Sequence, residues 1–220
     1  MKLKKPIKNI VIFGDSYSTF EGFIPNGYKA WYGGEGGTPE KTDVFSVDKT
    51  WWYQLAKELD LNIVRNDSWS GSTICHTGYG GEDLSFGKSF VSRILKLESV
   101  GFFNEKIDTV LIFGGTNDRW ADAPLGELKF SGIEREDLYS VLPAISFFAG
   151  KLAEKLPNAN VIFIINTGLK PEIVEAMKAS AEHYGAAYLE LSDIDKQCGH
   201  PNVSGMRGIC EQVKKFLLEN

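Results

Sequence analysis

Five short apolar runs are spaced along the chain, with helical patterns between most of them. They cover residues 7–13, 61–64, 109–113, 161–165 and 187–191. A continuous apolar run of this length is typical of a strand that is buried on both faces of a parallel sheet. Strands that alternate with helices predict right-handed βαβ units. The pattern therefore predicts an α/β fold, a three-layer α/β/α sandwich with a central parallel sheet of about five strands.

The segments between these runs give the helices and the loops. Helices are predicted over residues 48–59, 89–100, 136–156, 171–184 and 202–218, and the third is expected to kink at Pro143. Residues 17–46 are rich in glycine and aromatic residues and show no periodicity. A structureless loop of this length inside a compact domain usually serves function.

Size and charge exclude several classes of protein. A chain of 220 residues is predicted to form one domain, residues 1–220. The net charge of −5 and the lack of a basic patch argue against nucleic acid as a partner. No run approaches the roughly 18 apolar residues of a membrane span. The basic start, residues 1–5, precedes an apolar stretch too short for a signal peptide, so we expect a cytoplasmic protein.

Cysteine usage supports the same compartment. Cys75, Cys198 and Cys210 are odd in number and lack a CxxC spacing, which indicates free thiols. The pairs Cys75-His76 and Cys198-x-His200 do not have the spacing of a zinc site. We therefore do not expect a zinc site.

Polar residues and glycines follow the first three predicted strands directly. Ser16 follows the first strand, Gly71 the second and Asn117 the third. In parallel sheets, ligands bind beyond the carboxyl ends of the strands, at the topological switch point. The agreement of these three positions predicts a site at that edge of the sheet.

The residue types at this edge suit acyl transfer. A serine hydroxyl becomes a nucleophile when a base takes its proton, although Ser16 could equally be a helix N-cap. A backbone N–H at Gly71 and the side-chain amide of Asn117 could stabilise an oxyanion, although both residues are also ordinary in turns. His200 precedes the last helix and could provide the base, whereas His183 lies in a predicted amphipathic helix.

Four blocks occur in the order Gly14-Asp15-Ser16, Gly71, Gly115-Thr116-Asn117-Asp118 and His200-Pro201. In this order the chain resembles the SGNH/GDSL hydrolase superfamily, whose name-giving blocks carry Ser, Gly, Asn and His. The resemblance runs from residue 8 to about residue 208. It implies the flavodoxin-like SGNH hydrolase fold, with Ser16 as nucleophile and His200 as general base. It also implies an oxyanion hole made by Ser16, Gly71 and Asn117, with no metal or cofactor.

One position departs from the family pattern. The superfamily usually places an aspartate three residues before the histidine, where this chain has Gln197. We predict Asp195 as the third catalytic residue, and a carbonyl or Gln197 stays open as the group that orients His200. Asp195 could also cap a helix or lie in a surface turn.

Aromatic residues on the three loops suggest the class of ligand. Tyr17, Trp69 and Trp120 are predicted to bind substrate, since flat aromatic faces with polar edges suit sugars. They could also form a small core that holds the loops. We predict a serine esterase acting on a small-molecule short-acyl or acetyl ester, carried by a carbohydrate.

Two alternatives remain at this stage. The departure at Gln197 motivates a pseudo-enzyme that binds acylated sugars without turnover. The hydroxyl-rich residues 16–22 motivate a flavodoxin-like protein that cradles a flavin phosphate.

Overall fold

A five-stranded parallel sheet forms the centre of the computed structural model, which describes residues 3–4 and 7–220. The basic start considered above therefore falls largely outside the described residues. The strands are β1 Asn9–Gly14, β2 Asn62–Ser68, β3 Thr109–Phe113, β4 Asn160–Ile165 and β5 Ala187–Glu190. Their spatial order is β2-β1-β3-β4-β5. The chain thus reverses its direction of growth between β1 and β3, which is the switch point where ligands bind in such sheets.

Helices cover both faces of this sheet. They are α1 Trp51–Glu58, α2 Phe90–Ser99, α3 Thr116–Trp120, α4 Val141–Lys155, α5 Pro171–Tyr184 and α6 Val203–Glu219. Side chains alternate along β1, so that Val11 and Phe13 pack with α2, α4 and α5, while Ile10 and Ile12 pack with α1 and α6. The two apolar clusters give the predicted three-layer α/β/α architecture.

Two helices begin at residues whose side chains cap them. The Ser89 hydroxyl accepts from the N–H of Ser92 at the start of α2, and the Asn202 side chain accepts from Gly205 at the start of α6. The expected kink at Pro143 is wrong, because α4 begins only at Val141. Pro143 thus lies in the first turn, where backbone N–H groups have no partner within the helix.

A two-stranded antiparallel ribbon was not predicted. It pairs β6, Lys196–Gln197, with β7, His200–Pro201. Its two turn residues, Cys198 and Gly199, both have positive φ, at 48° and 77°. Two successive positive φ angles are the geometry of a tight hairpin turn, which therefore fixes the backbone at His200.

Across the described parts of the chain, no helix is both long and apolar enough to cross a bilayer.

Candidate active site

Ser16 begins a single turn of 3-10 helix directly after β1. The Asp15 carboxylate accepts from the N–H of Tyr17 and caps this turn. Gly14 is required just before it, because a Cβ atom there would collide with Ser68 and Ser18. The N–H of Ser16 lies in the first turn of the helix, where backbone donors have no intrahelical acceptor.

The β6–β7 hairpin brings His200 to this serine. The Ser16 Oγ lies 2.9 Å from the Nε2 of His200, and both residues are buried. The Nδ1 of His200 lies 3.1 Å from the carbonyl oxygen of Cys198. Because a carbonyl only accepts, Nδ1 carries the proton and Nε2 accepts from the serine hydroxyl. The flavin alternative loses its main support, since Ser16 faces an imidazole rather than a phosphate cradle.

The His200 ring is held on its face as well as at its nitrogen atoms. Trp31 stacks on it with ring centroids 3.7 Å apart and planes inclined by 8°. Burial lowers the pKa of His200 to about 4, although the contact with the Cys198 carbonyl opposes this effect. The imidazole is therefore neutral at ordinary pH, as a general base must be.

Neither Asp195 nor Gln197 orients His200 through its side chain. The Asp195 carboxylate is exposed and accepts from the Ser204 hydroxyl 2.7 Å away. The Gln197 amide donates to the Pro39 carbonyl. The hairpin register pairs the backbones of Gln197 and His200, which leaves the Cys198 carbonyl on Nδ1. Of the groups considered from sequence, the carbonyl is the one that the structure brings to the ring.

Asn117 lies in the first turn of α3, after β3. Its Nδ2 donates to the Ser72 carbonyl at 3.0 Å, and its Oδ1 accepts from the Tyr79 hydroxyl at 2.7 Å. These two contacts fix which way the amide faces. The other Nδ2–H has no acceptor among the described residues, and Asn117 lines the same cavity as Ser16.

The loop after β2 supplies Gly71. Its φ of +81° favours glycine, and none of the residues that the structure describes accepts a hydrogen bond from its N–H. Gly71 lines the same cavity as Ser16. The structure thus brings together all three predicted oxyanion donors at one cavity.

Two buried polar side chains hold these loops. The Asp118 carboxylate accepts from the N–H groups of Ile74 and Cys75. The Arg93 guanidinium pairs with Asp67 and donates to the Gly14 carbonyl and to the Ser72 hydroxyl. Arg93 therefore ties the loop after β1 to the loop after β2 from beneath.

Burial also raises the pKa of two carboxyl groups near the serine. It raises the pKa of Asp15 to about 7 and that of Asp118 to about 6, although hydrogen bonds from backbone N–H groups oppose both shifts. Neither group contacts His200, and both accept hydrogen bonds from backbone N–H groups of the loops instead.

A cavity of about 420 Å³ opens above Ser16 and His200. Four aromatic residues line it: Trp31, Trp69, Tyr79 and Trp120. Two salt bridges lie among its lining residues, Lys29 with Glu35 and Lys88 with Glu82. We refer to this space as the ester cavity.

Of the three aromatic residues predicted to bind substrate, two line the ester cavity and one does not. Trp69 and Trp120 are on its wall. Tyr17 is buried outside it and donates to the Gly199 carbonyl at 2.5 Å. This contact supports the His200 hairpin, and Tyr17 also lines a neighbouring cavity beside Lys196.

Sequence reasoning did not assign roles to three site residues. Trp31 and Tyr79 received no role from the sequence, and the orienting carbonyl that the sequence left open could not be assigned to Cys198, because a backbone group is not marked by any residue type. His76 contacts the Ser89 hydroxyl, and His183 stacks on Phe130, so both have partners elsewhere. Within the described ranges, no group of three or more His, Cys, Asp or Glu residues could hold a metal ion, and all three cysteines are free thiols.

Comparisons with known proteins address the fold and the family. The model of the GDSL-like Lipase/Acylhydrolase family matches residues 8–217. A protein from Bacteroides ovatus, whose name places it with the GDSL-like lipases, is 41% identical, with a TM-score of 0.88. The alignment covers 98% of this chain and 100% of that chain. A protein of the same description from Bacteroides uniformis is 42% identical, covering 97% and 96%, with a TM-score of 0.89.

A more distant structure shares the fold alone. It is an acetyl xylan esterase from Butyrivibrio proteoclasticus, 18% identical, with a TM-score of 0.65 over 100% of this chain and 65% of that one. No curated protein matches the chain. Because the family match spans nearly all of the chain and two relatives exceed 40% identity, the protein belongs to the GDSL-like lipase/acylhydrolase family of SGNH ester hydrolases.

Proposed function

We propose that the protein is a serine esterase that works through an acyl-serine intermediate. The observation that carries the proposal is the 2.9 Å contact between Ser16 Oγ and His200 Nε2 beside the ester cavity. Ser16 attacks the ester carbonyl while His200 takes its proton, and the imidazolium then protonates the leaving alcohol. Water, activated by the same imidazole, releases the acyl group and restores the serine.

The developing negative charge needs donors that are already in place. We assign this role to the backbone N–H groups of Ser16 and Gly71 and to Nδ2 of Asn117. Donors fixed in advance require little reorganisation during the reaction, and one such donor typically contributes about 3 kcal/mol to the transition state. The contacts of Asn117 with Ser72 and Tyr79 support this assignment, because they fix the amide before substrate arrives.

We propose a catalytic dyad in place of the predicted triad with Asp195. The Cys198 carbonyl can select the tautomer of His200, as a carboxylate does, but it carries no full charge to stabilise the imidazolium. The stacked Trp31 ring can supply part of that stabilisation, because an aromatic face attracts a cation.

The proposed substrate is a short-acyl or acetyl ester of a carbohydrate. The ester cavity is lined by Trp31, Trp69 and Trp120 and by charged side chains that occur in pairs. Tryptophan faces next to polar groups suit sugar rings better than long acyl chains.

The direct test is hydrolysis of 4-nitrophenyl acetate by the wild type and by Ser16→Ala. We expect the substitution to lower kcat by about 10³-fold or more, because the nucleophile is removed. Ser99→Ala, on the surface of α2, is the matched control and should keep full activity. Turnover that survives in Ser16→Ala would rule out Ser16 as the nucleophile.

No carboxylate among the described residues hydrogen-bonds to His200, which also favours a second candidate, a protein that binds acylated sugars without turnover. That function predicts no hydrolysis by the wild type and sugar-ester binding that survives Ser16→Ala. Isothermal titration with an acetylated xyloside, run beside the activity assay, separates it from the esterase.

A further inference from the structure

A second cavity, of about 350 Å³, lies next to the ester cavity at the same edge of the sheet. Trp120 lines both, and Gly199 of the His200 hairpin lines the second. The residues after β4 and β3 contribute Thr167, Asn166 and Arg119, and β6 contributes Lys196. This second space has no role in the proposed chemistry of Ser16 and His200.

The two cavities differ in how their cations are partnered. In the ester cavity, Lys29 and Lys88 each form a salt bridge with a glutamate. In the second cavity, Lys196 donates to the neutral oxygens of Thr167 and Asn166, at 3.0 and 3.4 Å. Neither Lys196 nor Arg119 forms a salt bridge with any residue that the structure describes. Lys196 Nζ also lies 5.4 Å from the centroid of the Tyr17 ring. The second cavity therefore holds two positive charges that no salt bridge among the described residues neutralises.

The groups around Lys196 also affect its pKa. Desolvation, together with the charge of Arg119, lowers the pKa of Lys196, and the buried carboxyl of Asp15 opposes this from a distance. Lys170, which lies near this edge, is already paired with Asp122. In a chain with a net charge of −5, a cavity with two uncompensated cations stands out as a place that attracts an anion.

We propose that this second cavity binds an anionic substituent of the substrate whose ester occupies the cavity at Ser16. Arg119 presents a planar fork that suits a carboxylate, and Lys196 adds a point charge held by Thr167 and Asn166. Because Trp120 is shared, one ligand can cover both spaces across the indole ring. The substrate class becomes an acylated acidic sugar, an assignment that rests on the proposed esterase function.

The test compares two substrates that differ only in charge. They are the acetylated methyl glycoside of glucuronic acid, as the free acid, and its uncharged amide. At pH 7.5 we expect the wild type to favour the acid in kcat/KM by about tenfold or more. The double variant Arg119→Gln/Lys196→Gln should lose that preference and keep its kcat/KM for 4-nitrophenyl acetate. Lys57→Gln, which makes the same type of charge change on α1 and lines neither cavity, should retain the preference.

Direct binding keeps this test separate from the esterase proposal. Titration of the wild type and of the double variant with methyl glucuronoside and with its amide needs no turnover. Acetate hydrolysis without any acid preference, in rate or in binding, overturns the anionic-substrate inference and leaves the esterase intact. Acid-selective binding without hydrolysis supports the second cavity and contradicts the esterase. Inorganic phosphate that binds at Arg119 and Lys196 while glucuronate does not would show a separate anion site, and would also overturn the inference.

Discussion

His200 is contacted by two residues from distant parts of the chain and by one from its own hairpin. Ser16 faces Nε2, the Cys198 carbonyl accepts from Nδ1, and Trp31 covers one face of the ring. Each contact fixes a different property: the partner in proton transfer, the tautomer and the plane of the ring. The same burial that orders the imidazole also makes it a weaker base, because the charged form loses its hydration.

This burial predicts an unusual pH profile. The base must be neutral, and its pKa of about 4 keeps it neutral well below the ordinary range near 6.5. We expect kcat/KM for 4-nitrophenyl acetate to stay level from pH 8 to about pH 5 and to fall near pH 4. Trp31→Leu should move the fall toward pH 6.5, because the smaller side chain exposes the ring to water and this gain in hydration outweighs the lost attraction of the aromatic face. A wild-type profile that falls near pH 6.5 would contradict the proposed environment of His200.

Asp195 provides a test of the dyad. Its carboxylate contacts Ser204 rather than His200, so Asp195→Asn should leave kcat/KM for the same ester within about twofold. A triad carboxylate lost to asparagine lowers kcat by about 10⁴-fold in a well-studied protease, so the two outcomes lie far apart. A large loss in Asp195→Asn would return Asp195 to the catalytic site.

Tyr79 is the residue expected to position Asn117. Tyr79→Phe removes the hydroxyl that holds Oδ1, which permits the amide to turn away from the cavity. One neutral hydrogen bond is worth about 1 kcal/mol, so we expect kcat to fall about fivefold with little change in KM. Asn117→Ala should cost about 10²–10³-fold, and the double variant should lose no more than Asn117→Ala alone. Additive losses would show that Tyr79 acts independently of Asn117.

At the scale of elements, the β6–β7 hairpin is the smallest unit that positions a member of the proposed dyad. Its turn has positive φ at both Cys198 and Gly199, and Tyr17 and Tyr32 hold it through the carbonyls of Gly199 and Pro201. The hairpin places the Cys198 carbonyl and the His200 ring on the same side of one turn. The hairpin thus brings a backbone carbonyl to Nδ1 of His200, whereas the superfamily usually has an aspartate at the position of Gln197.

Gly199→Ala tests the role of this turn. A Cβ atom there would lie 3.2 Å from the Trp120 ring, and the positive φ strains any residue other than glycine. We expect a loss of about 1 kcal/mol in the free energy of unfolding and a fall in kcat/KM. Gly132→Ala is the matched control, since its φ is +61° with open space around it. Its stability should fall by a similar amount while kcat/KM stays unchanged. Equal losses of activity in both variants would argue against a specific role for the turn.

At the scale of the whole molecule, several ionisable side chains are buried at the sheet edge beneath the site. Arg93 and Asp67 are buried as a pair, and Asp15 is buried with a pKa raised to about 7. A buried carboxyl with a raised pKa binds its proton more tightly in the folded state than in the unfolded chain. Its contribution to stability is therefore greatest at acid pH and is lost as the pH rises toward 7.

Asp15→Asn should remove this pH dependence, because the amide can still accept from the N–H of Tyr17. We expect the free energy of unfolding of the variant, relative to the wild type, to rise between pH 4 and pH 8 by up to about 4 kcal/mol. Urea denaturation at several pH values measures it. Asp193→Asn, at an exposed position, is the control. A difference that stays constant with pH would mean that Asp15 is not buried as a neutral acid.

The sequence by itself determined the α/β/α layers and the strands that the site residues follow. Runs such as residues 109–113 and 161–165 are almost wholly apolar, which is typical of strands buried on both faces. Ser16, Gly71 and Asn117 follow the carboxyl ends of the first three strands. Local patterning also placed α5 at Pro171–Tyr184 and α6 after Asn202. These features depend on near neighbours in the chain, which periodicity and capping residues report directly.

Only the tertiary structure decided what orients His200 and what surrounds it. The stacking of Trp31 joins residues 169 positions apart, the partner of Nδ1 is a backbone carbonyl, and Arg119 and Lys196 meet in one cavity from separate connections. A Cys-Gly pair is not a strong signal for a hairpin turn, so the β6–β7 hairpin was not predicted. Without that hairpin, Asp195 was expected to reach His200, whereas in the fold it contacts Ser204. Contacts of this kind depend on how distant loops pack at the sheet edge, and no local pattern encodes them.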